Sequence, residues 1–469
     1  MGVHGNARAA TRECAIAAAT AWFDSGAFEA LLARRVACRT ESQGPDAGDA
    51  LRAYLEQEIG PAVAELGFAW RVVANPVPGG GPFLLAERRE GADLPTVLTY
   101  GHGDVVWGYD GQWRDGRSPW TLARAGDRWF GRGSADNKGQ HTINLAALAR
   151  VLDARGRLGF NMRLLVETGE ETGSPGLADV CAQERAALAA DVLIASDGPR
   201  LAAAQPTLFL GSRGAFNFDL TVALRDGAHH SGNWGGLLAN PATILANAIA
   251  SLVDARGRIL VPGLQTPPIP ASVRAALADV APGEPGGPSI DVDWGEPDLS
   301  PALRVFAANA LEVLAFGAGN VARPVNAIPP RATAHLQLRY VVGTDDRRFV
   351  PALRAHLDAH GFERVDVAAA SAPPMRATRL DPAHPWVRRI ARSVEATTGR
   401  PPVILPSLGG SLPNDCFAEI VGMPTVWVPH SYPGCAQHAP DEHLLVATAR
   451  EGLAIMTGIF WDLGEPARD

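Results

Sequence analysis

Cysteine is scarce in this chain. Its 469 residues carry five, Cys14, Cys38, Cys181, Cys416 and Cys435, scattered and without a Cys-x-x-Cys pair. That argues against a disulfide framework and a thiolate zinc site, and it fits a reducing compartment. Cys416 reads as a buried, inert thiol. Positive charge is in deficit too: 42 lysines and arginines face 50 aspartates and glutamates, a formal net charge of −8. Without a basic surplus there is nothing to neutralise a phosphate backbone, so no nucleic-acid partner is expected. Long apolar runs are missing, and none reaches the ~20 residues that span a bilayer. The run at 15–23 follows Arg8 and Arg12, but Glu13 and Asp24 bracket it. It reads as an amphipathic helix, not a signal peptide. No membrane partner is expected, and the cytoplasm is the expected compartment.

What is present is an ordinary globular composition, 46% hydrophobic and 20% charged, in a chain too long for one core. Two or three domains are expected. The spacing of apolar positions predicts helices over 7–38 and 47–66, then short strands over 68–74 and 83–88 around a Pro/Gly turn at 76–81. Strands at 94–99, 161–167 and 192–195 alternate with helices at 140–153 and 176–189. This rhythm predicts an α/β fold with a mostly parallel sheet. Near 210 it changes. Strands at 216–224, 332–342 and 363–370, with helices at 240–254 and 346–360, predict an α+β domain over about 210–375. Asn240 followed by Pro241 suits a helix start. Residues 261–300 read as a Pro/Gly-rich arm. Residues 376–469 return to helix, strand and helix, so 1–209 and 376–469 are read as one domain interrupted by 210–375.

Chemistry-bearing side chains gather at the predicted strand ends. Strand 94–99 runs into Tyr100-Gly101-His102-Gly103-Asp104 and brings a histidine to the carboxyl edge of the sheet, where open α/β proteins bind ligands. An imidazole there can hold a metal while a nearby carboxylate fixes its tautomer. Taken alone, His102 is equally a turn histidine. Asp136 follows in Gly131-Arg132-Gly133-Ser134-Ala135-Asp136-Asn137-Lys138-Gly139, a glycine-rich turn without the Gly-Lys-Ser/Thr of a phosphate loop. Glu170-Glu171 comes after 161–167, Asp197 after 192–195, and His438 stands in Gln437-His438-Ala439-Pro440-Asp441-Glu442. Carboxylates and imidazoles without thiolates suit zinc, manganese or cobalt. Their number exceeds the three protein ligands of a mononuclear catalytic zinc and suggests two ions bridged by a carboxylate. Of two adjacent glutamates, one can ligate while the other takes a proton from water.

The order His-x-Asp, Gly-x-x-Asp-Asn-Lys-Gly, Glu-Glu-x-Gly-Ser, Ser-Asp-Gly, His-Ser-Gly and a late His resembles the dinuclear zinc peptidase and deacylase family. That family includes carnosinase, bacterial glutamate carboxypeptidase, acetylornithine deacetylase and succinyl-diaminopimelate desuccinylase. The resemblance runs from about residue 95 to 445. It implies two divalent ions per chain, Zn2+ with Mn2+ or Co2+ as substitutes. His102, Asp136 and Asp197 would hold one, and Asp136, Glu171 and His438 the other. It also implies that Asp104 orients His102, that Glu170 is the general base acting on a metal-bridged water, and that the Asp136–Asn137 peptide is cis. The second domain would be a ferredoxin-like lid that also dimerises. His230 in His229-His230-Ser231-Gly232 matches the histidine that reaches the partner subunit's site, with His229 as the alternative register. Asn326 and Arg339 match substrate-binding positions, as do Gly410 and Ser411 in Gly409-Gly410-Ser411-Leu412-Pro413, and an arginine suits a free carboxylate. Glu442 is expected to support His438. Asp at 197 and the long insertion at 255–320 resemble the dipeptidase, carnosinase-like side. The expectation is a homodimeric dipeptidase for a small peptide-like substrate with a free carboxylate. One rival is an N-acyl-amino-acid deacylase or carboxypeptidase, separable by a substrate panel. The other is a non-catalytic, metal-stabilised binding protein, against which Glu170 speaks, since binding alone needs no spare base.

Overall fold

An eight-stranded sheet organises the computed structural model, which describes residues 11–283, 287–370 and 375–466. Residues 7–10 of the expected first helix lie outside them. The strand order is Ala69–Val73, Phe83–Arg88, Asn161–Glu167, Thr96–His102, Val192–Ala195, Thr425–Trp427, Thr207–Phe209 and Val403–Leu405. The four middle strands from Asn161–Glu167 to Thr425–Trp427 run parallel. Antiparallel pairs flank them at Phe83–Arg88 and Thr207–Phe209. The middle strands are covered on both faces, so they are apolar runs with no alternation.

Helices Arg12–Asp24, Lys138–Arg155, Pro385–Thr398 and Val446–Leu463 bury their apolar sides on one face of this sheet. Arg12 ties three of them together: its Nε lies 2.9 Å from Asp462 and its Nη2 2.7 Å from Thr397. The helix expected at 7–38 breaks at Gly26, whose φ of 85° is left-handed, and resumes as Ala27–Val36. Among the described residues no helix is long and apolar enough to cross a membrane.

The second sheet is antiparallel, in the order Ala310–Ala318, Arg331–Tyr340, Gly214–Ala223 and Asp366–Ala369. Helices Pro241–Leu252 and Phe349–Ala359 share its core. In chain order this is β-α-β-β-α-β with spatial order second, third, first, fourth, a ferredoxin-like arrangement. Asn240 caps its helix as expected, accepting the Ala242 N–H at 2.9 Å. Two features differ from the sequence reading. Ala310–Ala318 is a strand, although it fell in the insertion at 255–320. A bulge between Val313 and Ala315 breaks its period of two, and Val313, Leu314 and Phe316 are exposed on this edge strand. The arm at 261–300 does not stand apart either. Val273 and Leu277, with Ala302 and Phe306 just after the arm, are buried with Leu177, Val180 and Phe417 on the other face of the large sheet.

Candidate active site

Three neighbouring parallel strands end on the same side of the large sheet, and each delivers acidic or imidazole groups there. His102 closes Thr96–His102, Glu170 and Glu171 open a short 3-10 turn after Asn161–Glu167, and Asp197 lies two residues beyond Val192–Ala195. Asp136 comes from the turn before helix Lys138–Arg155, and its peptide bond to Asn137 is cis, as the family resemblance implied. His438 precedes strand His443–Leu445, whose pairing with Arg128–Phe130 ties the His438 loop to the Asp136 turn.

The structure brings all five sequence-derived metal candidates together. His102 Nε2 lies 2.9 Å from Asp136 Oδ1 and 3.8 Å from Asp197 Oδ2. His438 Nε2 lies 3.1 Å from Asp136 Oδ2 and 3.0 Å from Glu171 Oε2. Asp136 thus turns one oxygen to each histidine. The two triads each gather their donor atoms within 4.8 Å. Asp104 is wholly buried and does two things. Its Oδ1 is 3.3 Å from His102 Nδ1, and its carboxylate accepts the Glu170 N–H at 3.2 Å and the Glu171 N–H at 3.1 Å.

Burial sets the direction for three of the carboxyl groups. It pushes Asp197 up to about 6 and Glu171 up to about 7, with the Asp136 charge adding to both. Burial and the surrounding carboxylates hold Glu170 well above the usual range. Burial opposes charge on His102, but Asp104 and Asp136 outweigh it and raise its pKa. Hydrogen bonds to Asp136 and Glu171 bring His438 up to about 11. Without a cation this crowd of acids must share protons among its members, and a divalent ion replaces those protons. Among the described residues, the buried Asp197 Oδ2 has no hydrogen-bond partner. That orphaned acceptor, beside imidazole and carboxylate donors, fits divalent-cation binding.

Glu442 corrects the sequence reading, because it does not support His438. Its Oε1 accepts the N–H groups of Ala135 and Asp136, each at 3.0 Å. Its Oε2 accepts the Gly133 N–H at 3.0 Å and an Arg132 N–H at 2.8 Å. The carboxylate therefore shapes the Asp136 turn. Gln437, which drew no notice in the sequence, donates its side-chain amide to Asp136 Oδ2.

The remaining candidates fall into two groups. His230 is exposed, with Nδ1 accepting the Gly232 N–H at 3.1 Å, whereas His229 is half-buried against the Trp234 ring. Residues 229–230 pair with Ala327 and Ile328, and the Asn326 carbonyl accepts the Ser231 N–H at 2.8 Å. His230 and Asn326 are therefore neighbours. Among the described residues, no hydrogen bond or ion pair joins them to the metal candidates. In the second group, Arg339 Nη1 donates to Ser411 Oγ at 2.6 Å, next to the exposed Gly410. Arg213, missed in the sequence, grips the same loop through Nε to the Gly409 carbonyl at 2.8 Å. Burial, then the nearby Arg339 charge, lowers Arg213 to about 10. Among the described residues neither guanidinium has an ion-pair partner.

Known proteins resemble this chain in sequence and in fold. A mouse protein named Beta-Ala-His dipeptidase is 35% identical over 193 residues, which is 40% of this chain and 38% of that protein. The Cysteinylglycine-S-conjugate dipeptidase of Corynebacterium striatum is 27% identical over 350 residues, 73% of this chain and 75% of that one. The crystal structure of human carnosine dipeptidase 1 superposes with a TM-score of 0.76 at 22% identity, covering 97% of this chain and 100% of that one. At that identity the likeness speaks for the fold alone. The family model of peptidase family M20/M25/M40 matches residues 98–462, a span that begins within the His102 strand and takes in both metal triads. The chain belongs to peptidase family M20/M25/M40.

Proposed function

We propose that this chain is a metal-dependent dipeptidase that cleaves the amide bond of a small dipeptide bearing a free carboxylate. Residues 1–209 and 376–469 form its catalytic domain and 210–375 its lid. The observation that carries the reading is Asp136, which turns one oxygen to His102 and the other to His438 beside the Glu170–Glu171 turn. On this reading His102, Asp136 and Asp197 hold one divalent ion, and Asp136, Glu171 and His438 hold a second. Zn2+ is the natural occupant, with Mn2+ or Co2+ as substitutes. When bound, the ions would supply Lewis-acid polarisation of the scissile carbonyl and lower the pKa of water. Glu170 belongs to neither ligand set and would serve as general base and acid, taking a proton from the attacking water and delivering it to the leaving amine nitrogen. Asp104 holds the Glu170 backbone and the His102 ring in place for this. Arg339 binds the substrate carboxylate in bidentate fashion, Ser411 and the Gly410 backbone line the same end, and Arg213 adds a second positive charge. The relatives named for dipeptides favour a dipeptide over an N-acyl amino acid.

The same reading makes the protein a cytoplasmic homodimer in which His230 and Asn326 complete the partner's site. Two features support the pairing. His230 is exposed while its neighbour His229 is held by Trp234. Exposed apolar side chains also concentrate on the lid, at Trp234, Leu237, Leu314, Phe316 and Val325. Chelator-stripped protein tests the metal count: dipeptidase activity is expected to rise until two equivalents of Zn2+ are added, and saturation at one equivalent contradicts it.

A further inference from the structure

Behind the metal candidates runs a buried chain of hydrogen bonds that the reading above leaves unused. Tyr54 Oη is 2.7 Å from His141 Nε2, and His141 Nδ1 is 3.2 Å from Asn137 Oδ1. The Asn137 amide nitrogen donates to the Ser196 carbonyl at 2.8 Å. All four residues are buried. The donors have one consistent direction. Asn137 spends its nitrogen on Ser196, so its oxygen accepts from His141 Nδ1–H, and His141 Nε2 accepts from the Tyr54 hydroxyl. A fully satisfied buried network of this kind is rigid.

This chain meets all three members of one ligand set. Asn137 is bonded to Asp136, and Ser196 is bonded to Asp197. His102 stands between Gly101 and Gly103. A Cβ at Gly101 would lie 2.7 Å from the His141 Cβ, and one at Gly103 would lie 2.5 Å from the Tyr54 ring. The two glycines thus let His141 and Tyr54 press against the backbone on both sides of His102. Tyr54 is itself fixed. It opens a π-helical turn, Tyr54–Ile59, set between helices Gly48–Ala53 and Gly60–Glu65. Such turns are costly in a helix and gather at functional sites. The Lys138 ammonium sits 5.1 Å from the centre of the Tyr54 ring.

We propose that Tyr54 and His141 are positioning residues that set the divalent-ion affinity of the His102, Asp136 and Asp197 set. The inference rests on the metal-dependent reading of the site and is independent of which bond is cleaved. Groups that orient ligands from behind are typically worth about 10- to 100-fold in metal affinity. Tyr54→Phe leaves His141 Nε2 buried without a partner and frees the imidazole to turn.

Calorimetric titration of metal-free protein with Zn2+ tests this. In Tyr54→Phe one of the two binding events is expected to weaken about tenfold or more, with the other unchanged. His141→Asn is expected to do the same, and the double variant to bind no more weakly than the worse single one, because the pair acts as a unit. Leu55→Ala, a buried neighbour outside the chain, is expected to lower the Tm and leave both zinc affinities as they were. If Tyr54→Phe does not fold, His141→Asn carries the test. Folded variants that bind both ions as tightly as the wild type overturn the proposal, and so does Leu55→Ala weakening zinc as much as they do. A wild-type protein that binds no zinc overturns the metal reading itself, before any variant is compared.

Discussion

At the residue scale, the proposed reading gives Glu170 the chemistry and not the metal. Glu170→Gln is expected to lower kcat by about 10^2- to 10^4-fold, the usual share of a general base. Its zinc content, read by elemental mass spectrometry, is expected to match the wild type. Away from the site, Asp415 gives a pH signature. Burial pushes it up to about 6 from 3.8, Glu419 adds to this, and backbone N–H groups including that of Arg376 oppose it. The native state therefore holds an extra proton between those values. The stabilisation is full below pH 4, is lost as the pH rises to 6, and is absent above that. Asp415→Asn is expected to gain about 3 kcal/mol at pH 7 and nothing at pH 4, measured by urea unfolding at both. The metal candidates were legible in the sequence because His, Asp and Glu at strand ends already are the ligand chemistry. Glu442, Gln437 and Arg213 were not, because their roles depend on which backbone or side chain they meet across the fold.

At the element scale, the turn 131–136 owes its shape to one buried carboxylate. Glu442 satisfies three backbone N–H groups and Arg132, both side chains being about 1% exposed. Glu442→Ala strands the Arg132 charge, and breaking a buried pair from one side costs about 3–5 kcal/mol. A fall of that size in unfolding free energy is expected, together with weaker zinc binding, since Asp136 loses the anchor of its own N–H. Loss of stability with unchanged zinc affinity contradicts the second half. Element order was largely readable because strands covered on both faces and amphipathic helices carry plain patterns. Strand Ala310–Ala318 was not, since a bulge at an exposed edge removes the alternation that marks a half-buried strand. The break at Gly26 was missed for a different reason. Apolar spacing continues through it, and only the left-handed backbone ends the helix.

At the scale of the whole molecule, His230 and Asn326 are exposed neighbours, and the proposed dimer gives them a site to serve. Co-expression of His230→Ala with Glu170→Gln tests it. Each variant alone is expected to be nearly inactive, but a random mixture of two-fold dimers regains about a quarter of wild-type activity, because each heterodimer rebuilds one complete site. No recovery means that His230 acts within its own chain, and full activity of His230→Ala alone means that it does not act at all. The sequence suggested a lid but not that its Pro/Gly-rich arm would cover the large sheet, because the few apolar residues that dock there, such as Val273 and Phe306, have no periodicity to announce them. The central claim, metal-dependent dipeptide hydrolysis, is tested most directly by incubating zinc- or manganese-loaded protein with a mixed panel of dipeptides and N-acyl amino acids and reading the products by mass spectrometry. Dipeptides are expected to be cleaved, chelation to stop the cleavage, and N-acyl amino acids to survive. Cleavage of N-acyl amino acids with the dipeptides intact, or no turnover with any metal, contradicts it.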